Sequence, residues 1–338
     1  MQINEDRIGL SYVIGLGPST SREMVSASAL AEKRGFYSVF VPEHYYDRES
    51  PSVLGAISQA TSKIKIGTGV INPFSRFPSL IAMTAAPLDE LSNGRAFLGL
   101  GSGGVIGSLS HGIPNEFSGL EYSNPLGHLS ETVEIIRKLL SQEKVTFHGR
   151  FYNLENVKLN FRPIQESIPI YFGQQGPKMM ELAGRIADGV LITLCCTIPY
   201  VKDVISKIES SLKKINRKKG SFDYAARIIT SLSNDSKEAL KSSRQVVARV
   251  FVHPGAKPVL EASGLDLDIE QIKNCFDSGR TEKLEKLVSD EVVEMSTASG
   301  NKREILKKIE EFRQAGVTQP LIVPIGKNYA EVIDAFAK

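Results

Sequence analysis

The amino-acid sequence predicts a single α/β domain over residues 1–338, a (β/α)8 or TIM barrel with insertions. Short aliphatic or β-branched runs alternate with stretches of helical period, and no break in composition divides the chain. The runs are continuously apolar, as expected of parallel strands that are covered on both faces. Eight such runs occur, at residues 8–14, 37–41, 64–71, 96–101, 168–172, 190–194, 225–232 and 321–323.

The segments between these runs have the pattern of amphipathic helices. In residues 129–140, leucine, valine and isoleucine recur on one helix face and charged residues fall between them. The same pattern returns in residues 201–212 and 305–312. Long insertions on the βα loops of a barrel usually build its substrate side. Three stretches exceed a minimal barrel, namely a Gly/Ser/Pro-rich loop at 102–125, an extended or hairpin piece at 147–163 and a mostly helical segment at 254–299.

The composition argues against several classes of partner. Lys plus Arg number 41 and Asp plus Glu 38, so the net charge of +3 gives no reason to expect nucleic acid or a membrane. The sequence shows no signal peptide and no long apolar stretch, so we expect a soluble, cytoplasmic protein. Cys195, Cys196 and Cys275 have no metal-ligand spacing, and we interpret them as small buried residues. No metal site is predicted.

The first motif with possible chemistry is IGTGVINP, which ends the third apolar run. Gly67 and Gly69 interrupt a β-run, and glycines in a strand usually mark a bulge or a close approach of another backbone. Pro73 then ends the strand. A structural bulge and a ligand-binding bulge explain this motif equally well.

The second motif is VPEHYYD, at the end of the second run. Catalytic groups of barrel enzymes lie at the C-terminal ends of the strands, so Glu43 and His44 are the catalytic candidates. A histidine at this place can donate a hydrogen bond to a cofactor or move a proton near neutral pH. The alternative is a structural pair at the rim.

The third motif is YFGQQGPKMMELAG, where the fifth run turns into a helix. Gly173 and Gly176 free the backbone, and Pro177 suits the first turn of a helix. The exposed N–H groups and the helix dipole favour a phosphate, with Lys178 nearby. An ordinary βα turn has the same appearance.

The fourth motif, LGLGSGG, closes the fourth run with glycines. Glycines at the rim of a barrel leave space for a planar ring or a phosphate. The alternative is a flexible entry into the long loop that follows.

Four ordered segments together resemble the bacterial-luciferase-like superfamily of flavin and deazaflavin oxidoreductases. Within it the sequence looks most like the coenzyme F420-dependent methylenetetrahydromethanopterin reductases, and the resemblance covers nearly the whole chain. The segments are IKIGTGVINPFSRFP, LDELSNGRAFLGLGSG, IPIYFGQQGPKMMELAGRIADGVLI and GVTQPLIVPIG.

The resemblance implies a cofactor site in the C-terminal mouth of the barrel. It implies a non-prolyl cis peptide bond between Gly69 and Val70, in a bulge of strand three that lies against the deazaflavin ring. Glu43 and His44 would lie near this ring. The other cofactor-binding positions it implies are Gly173, Gln174, Gly176 and Pro177 at the phosphate, and Ser102 and Gly103 beside the tail or the ring.

Two positions depart from the reductases that the sequence resembles. Those enzymes carry an acidic residue in the first strand, where this chain has Ser11, and another after the strand-four glycines, where it has Gly104. These carboxylates are natural acid/base or pterin-binding groups. Their absence leaves the cofactor site recognisable and the pterin substrate open.

Three functions are compatible with these residues. The leading prediction is an F420-dependent oxidoreductase that transfers hydride between deazaflavin C5 and a small organic substrate. The rival is an FMN-dependent luciferase-like monooxygenase, because the Glu-His pair is also common in flavin enzymes. A barrel that binds a flavin without catalysis is the third. We also predict a homo-oligomer, a dimer or a tetramer, because such barrels often dimerise through helices two and three.

Overall fold

The computed structural model describes residues 7–43, 47–101, 124–173 and 176–337. Eight parallel strands close into a barrel, so the predicted fold is confirmed, and each of the eight apolar runs overlaps one of them. The strands in chain order are β1 Gly9–Ser11, β2 Ser38–Val41, β3 Lys65–Thr68, β4 Ala96–Leu100, β5 Val145–His148, β6 Asn153–Val157, β7 Ile170–Gly173, β8 Gly189–Ile192, β9 Asp223–Leu232, β10 Thr297–Gly300 and β11 Gln319–Pro324.

Strands β1, β2, β3, β4, β7, β8, β9 and β11 form the barrel in this order, and β11 pairs with β1 to close it. Helices follow most of the strands and cover the outside of the sheet. They are α1 Ser21–Lys33, α2 Ser50–Ala60, α3 Pro78–Leu91, α4 Pro125–Leu140, α5 Pro177–Ile186, α6 Ile198–Lys214, α7 Ser236–Phe251, α8 Lys257–Ser263, α9 Ile269–Asp277, α10 Leu284–Leu287, α11 Asp290–Ser296, α12 Lys302–Gln314 and α13 Tyr329–Ala335. Among these described helices, none has the length and apolar character needed to cross a membrane.

Two additions to the barrel are among the described residues, whereas residues 102–123 of the predicted loop lie outside them. Strands β5 and β6 form an antiparallel hairpin before β7, and helices α8 to α11 follow α7. Strand β10, at the end of the helical segment, was not predicted. It pairs with β9 at residues 229–232, whereas β8 pairs with β9 at residues 223–226. The sequence TASG contains no large apolar side chain, so its pattern does not indicate a strand.

A layer of inward-facing side chains crosses the interior of the barrel. The layer consists of Phe40, Phe97, Tyr171, Leu191, Ala225 and Leu321, with Val70 packed against it. The ring centroids of Phe40 and Phe97 lie 4.3 Å apart, and those of Phe97 and Tyr171 lie 5.3 Å apart in an edge-to-face arrangement. Aromatic pairs of this kind add to the stability gained from burial. The layer therefore separates the C-terminal mouth of the barrel from its N-terminal end.

Candidate active site

The peptide bond between Gly69 and Val70 is cis, as the resemblance implies, and it directly follows strand β3. Backbone hydrogen bonds hold the chain on both sides of it. The amide of Gly69 donates to the carbonyl of Val41 at 2.7 Å, and the amide of Ile71 donates to the carbonyl of Gly99 at 2.9 Å. The bulge is thus anchored between β2 and β4 at the C-terminal end of the barrel.

The side chain of Val70 occupies space that three glycines leave open. A Cβ atom at Gly101 would lie 2.7 Å from Cγ2 of Val70, and one at Gly173 would lie 2.9 Å from Cγ1. A Cβ at Gly99 would lie 3.3 Å from the same Cγ1. Larger residues on β4 and β7 would therefore collide with Val70. Glycines from two separate motifs, one around the end of β4 and one at the end of β7, therefore make room for the same side chain. Val70 forms an apolar floor of the mouth in this space.

The N-terminus of helix α5 lies just beyond β7 and is open to a ligand. Its first residue is Pro177, and the preceding Gly176 has a φ of +89°, which glycine adopts at little cost. Among the described residues no side chain caps this helix, and no acidic residue lies in its first turn, whereas Thr20 and Thr197 cap α1 and α6. Uncapped N–H groups at the positive end of a helix dipole form a ready site for phosphate.

The carboxylate of Glu43 is held in a cluster of charges at the rim. Oε1 of Glu43 accepts a hydrogen bond from Nε of Arg76 at 2.8 Å, and Oε2 accepts one from Nη2 at 3.3 Å. Arg76 also pairs with Glu49, at 2.5 Å. Burial alone would lower the pKa of Arg76, but the two carboxylates raise it. Glu43 therefore ties the end of β2 to the segment that follows the bulge.

Glu43 also contacts the start of helix α2. Its Oε2 lies 3.3 Å from the backbone nitrogen of Ser50 and 3.4 Å from Oγ of the same residue. A carboxylate near a helix N-terminus is stabilised by the helix dipole. These contacts suit a residue that positions the rim. Four other predicted site residues, His44, Ser102, Gly103 and Gln174, lie outside the described residues.

Comparison with known proteins identifies the family. The model of the luciferase-like monooxygenase family matches residues 10–319. The chain belongs to this family. It is 35% identical over 317 residues to the 5,10-methylenetetrahydromethanopterin reductase of Archaeoglobus fulgidus. The aligned region covers 91% of this chain and 92% of that relative. The family predicted from the sequence is therefore confirmed.

Two further relatives bear on the cofactor. The coenzyme F420-dependent tetrahydromethanopterin reductase of Methanopyrus kandleri superposes with a TM-score of 0.87 at 30% identity, over 99% of this chain and 98% of that structure. An F420-dependent glucose-6-phosphate dehydrogenase of Segniliparus rotundus is 27% identical over 342 residues, covering 98% of this chain and 96% of the relative. Two F420-dependent relatives that are named for different substrates are thus similar to this chain over almost its whole length.

Arg227 is a residue of this luciferase-like barrel that the sequence analysis did not single out. It lies in register with Leu321 and two residues after Ala225, both of which belong to the interior layer, so it faces the inside of the barrel. Its Nε atom is buried without a hydrogen-bond partner, and burial lowers the pKa of Arg227 to about 10. A lone arginine within the apolar run AARIITSL was the available signal.

Three other polar groups lie at this end of the barrel, the hydroxyl of Ser11 and the thiols of Cys195 and Cys196. The hydroxyl of Ser11, at the end of β1, is buried and has no hydrogen-bond partner. Cys195 and Cys196 follow β8 and are buried free cysteines, as is Cys275, so the interpretation of the cysteines is confirmed. Burial raises the pKa of Cys196 to about 12, so this thiol stays protonated at neutral pH. The described residues contain no cluster of His, Cys, Asp or Glu able to hold a metal.

A cavity of about 340 Å³ lies at the opposite, N-terminal end of the barrel. It is lined by residues at the strand starts, among them Lys65 of β3 and Gln319 of β11. Catalytic residues of TIM barrels come from the C-terminal strand ends, whereas the N-terminal face contributes stability. The bulge, the glycines and the open start of α5 all lie at the C-terminal end. We therefore assign the candidate active site to the mouth and not to this cavity.

Proposed function

We propose that the protein is a coenzyme F420-dependent oxidoreductase that transfers hydride between the deazaflavin and a small organic substrate. The observation that carries this proposal is the apolar floor of Val70, set between Gly99, Gly101 and Gly173. An apolar floor beside glycines can accept a planar ring, since ligand sites are mostly apolar with few polar groups. The similarity to two F420-dependent relatives supports deazaflavin over FMN.

The described residues fit such a cofactor. Gly69 and Val70 would support the ring, and the start of helix α5, with Gly173, Gly176 and Pro177, would take the phosphate. When bound, the deazaflavin supplies the redox chemistry, because its C5 carries the hydride. The protein holds the ring, orients the substrate and keeps water from the reacting carbon. Ser102, Gly103 and Gln174 complete the proposed set on the grounds of resemblance alone.

His44 is the proposed group that holds or moves a proton at the mouth. It follows Glu43 directly in the sequence, and a histidine is suited to proton transfer near neutral pH. Glu43 acts beside it as a positioning residue, because its carboxylate is held by Arg76. Replacement His44→Ala should keep F420 affinity within about tenfold and abolish most turnover. Unchanged turnover would remove His44 from the mechanism.

Methylenetetrahydromethanopterin is the first substrate to test, and this activity would belong to one-carbon metabolism. The 35% identity to the Archaeoglobus fulgidus reductase supports this choice. Ser11 argues for a different way of binding the substrate, since its hydroxyl replaces the carboxylate implied by the resemblance. The substrate class is therefore treated separately from the cofactor.

The second candidate is an FMN-dependent monooxygenase, which the name of the matched family favours. A titration of the purified protein with F420 and with FMN separates the two, with cofactor fluorescence as the readout. We expect tight, saturable F420 binding and weak FMN binding. Tight FMN binding without F420 binding would overturn the proposal.

We further propose that the protein is a homo-oligomer that buries the outer face of helix α3. Phe77 at its N-cap is 64% exposed, Met83 is 54% exposed and Leu91 is 53% exposed, and their spacing places them on one side of the helix. Contiguous exposed apolar residues mark interaction surfaces. Light scattering should give a dimer or tetramer, and Met83→Lys should reduce its mass. Leu306→Lys on α12 is the matched control, and a monomeric wild type would contradict this proposal.

A further inference from the structure

Arg227 stands directly across the barrel from the bulge. Around the closed sheet, four steps lead from β3 through β4, β7 and β8 to β9, and four lead through β2, β1 and β11. The guanidinium therefore belongs to the half of the mouth that faces the floor of Val70. A substrate bound above a ring on this floor would extend toward Arg227.

The positive charge of Arg227 is not compensated by the described residues. Its guanidinium donates no hydrogen bond to them and lies within 4 Å of none of their carboxylates, and its Nε is buried. Among the described residues, the titratable groups that face it are Cys195 and Cys196, whose thiols are kept neutral because burial raises their pKa values. A buried charge without a partner is costly, so its presence calls for a bound counter-charge.

Three other buried arginines of the structure donate hydrogen bonds through their guanidinium groups, although Nε of Arg7 is also without a partner. Arg7 makes two hydrogen bonds to the carboxylate of Asp223, and Arg244 pairs with Asp290. Arg95 donates hydrogen bonds to nearby backbone carbonyls, including that of Ile64 at 2.7 Å. Arg227 differs from all three because its guanidinium donates no hydrogen bond to any described residue.

We propose that Arg227 binds a carboxylate of the substrate and thereby selects substrates with one negative charge close to the reacting carbon. The fork of a guanidinium matches the two oxygens of a carboxylate. A single cation suits a single negative charge, since a phosphate dianion is usually held by several donors. This inference rests on the proposed function, because it assumes that the cofactor ring lies on the opposite side of the mouth.

The test compares benzoate with benzamide, which have the same shape and differ in charge. Calorimetry of the F420-loaded protein should show that the wild type binds benzoate more tightly than benzamide. Arg227→Met should weaken benzoate binding by about tenfold or more, as expected for loss of a charge-assisted pair, and leave benzamide binding unchanged. Arg227→Lys should retain part of the benzoate affinity. Arg313→Met, on the outer helix α12, should behave as the wild type.

Stability gives a second readout that does not depend on turnover. Because Arg227→Met removes an uncompensated charge, its urea midpoint should equal or exceed that of the wild type. A midpoint well below that of Arg313→Met would make Arg227 structural and overturn the inference. So would equal benzoate affinity in the wild type and Arg227→Met, or a wild type without preference for benzoate over benzamide.

The two proposals can fail separately. F420 binding is measured first for each variant, and its absence in the wild type contradicts the proposed function. If F420 does not bind and benzoate binding still depends on Arg227, the anion site stands and the cofactor assignment falls. If F420 binds and benzoate binding does not depend on Arg227, the cofactor assignment stands and the anion site falls.

Discussion

The buried charges at the two ends of the barrel differ in whether they have partners among the described residues. At the N-terminal end, Arg7 pairs with Asp223 through both terminal nitrogens, at 2.6 and 3.1 Å, and the hydroxyl of Tyr171 donates to the same carboxylate at 2.7 Å. Although burial alone would lower it, the pKa of Arg7 is raised by Asp223. At the mouth, Arg227 has no such partner among the described residues, and the hydroxyl of Ser11 is buried without a hydrogen bond to them.

This difference separates groups that stabilise the fold from groups that are available to a ligand. The paired charges of Arg7 and Asp223 hold the strand starts together at the N-terminal end, although Nε of Arg7 and Oε1 of Gln319 are buried there without a hydrogen-bond partner. At the mouth the unused donors are retained although they cost stability, which is typical of functional sites. The presence of a cavity at the N-terminal end does not change this assignment, since cavity volume alone supplies no chemistry.

The largest expected effect is on stability, at the N-terminal end. Asp223→Asn leaves the charge of Arg7 buried without its counter-charge, so the free energy of unfolding should fall by about 3 kcal/mol or more. Urea denaturation measures this change. Asp203→Asn, in the exposed pair with Lys207, should cost less than about 1 kcal/mol. Equal losses in the two variants would show that the N-terminal network does not stabilise the fold.

A smaller effect is expected on the floor of the mouth. Gly173→Ala places a Cβ atom 2.9 Å from Cγ1 of Val70, so the valine must shift and F420 affinity should fall by about tenfold. Fluorescence titration measures the affinity. Gly55→Ala in helix α2 meets nothing within 4 Å and serves as the control. Unchanged affinity in Gly173→Ala would remove Val70 from the cofactor site.

The smallest of the three effects concerns the charge cluster at the rim. If Glu43 positions the rim through Arg76, then Glu43→Gln and Arg76→Gln should reduce turnover by similar factors. The double variant should then be hardly worse than either single one, because both remove the same contact. A proton-transfer role for Glu43 would instead make Glu43→Gln far more damaging than Arg76→Gln. The turnover numbers of the three variants decide between these roles.

Much of this architecture could be predicted from the sequence, because eight apolar runs follow the period and length of buried parallel strands. The candidate site could be predicted only in part from the sequence. Gly69 was visible as an interruption of a β-run and Gly173 as a glycine at the turn into a helix, but only the structure shows that Val70 joins their motifs in one contact. Local sequence indicates where a backbone approaches something closely, and does not indicate what it approaches.

Other features could not be predicted because they depend on distant partners. Glu43 was expected near the reacting groups. In the structure its carboxylate accepts a hydrogen bond from Arg76, which lies 33 residues away in the sequence. Arg227 was missed because an arginine within an apolar run has no distinctive spacing, and only the closed barrel shows that it faces inward. Strand β10 was missed because its residues are small.

A crystal structure of the protein with bound coenzyme F420 tests the central claim most directly, because it shows which end of the barrel holds the cofactor. The account predicts that the tricyclic ring contacts Val70 in the C-terminal mouth, and that the phosphate lies at the start of helix α5 near Lys178. A cofactor bound in the N-terminal cavity beside Lys65 and Gln319, or a mouth that stays empty at saturating F420, would contradict it.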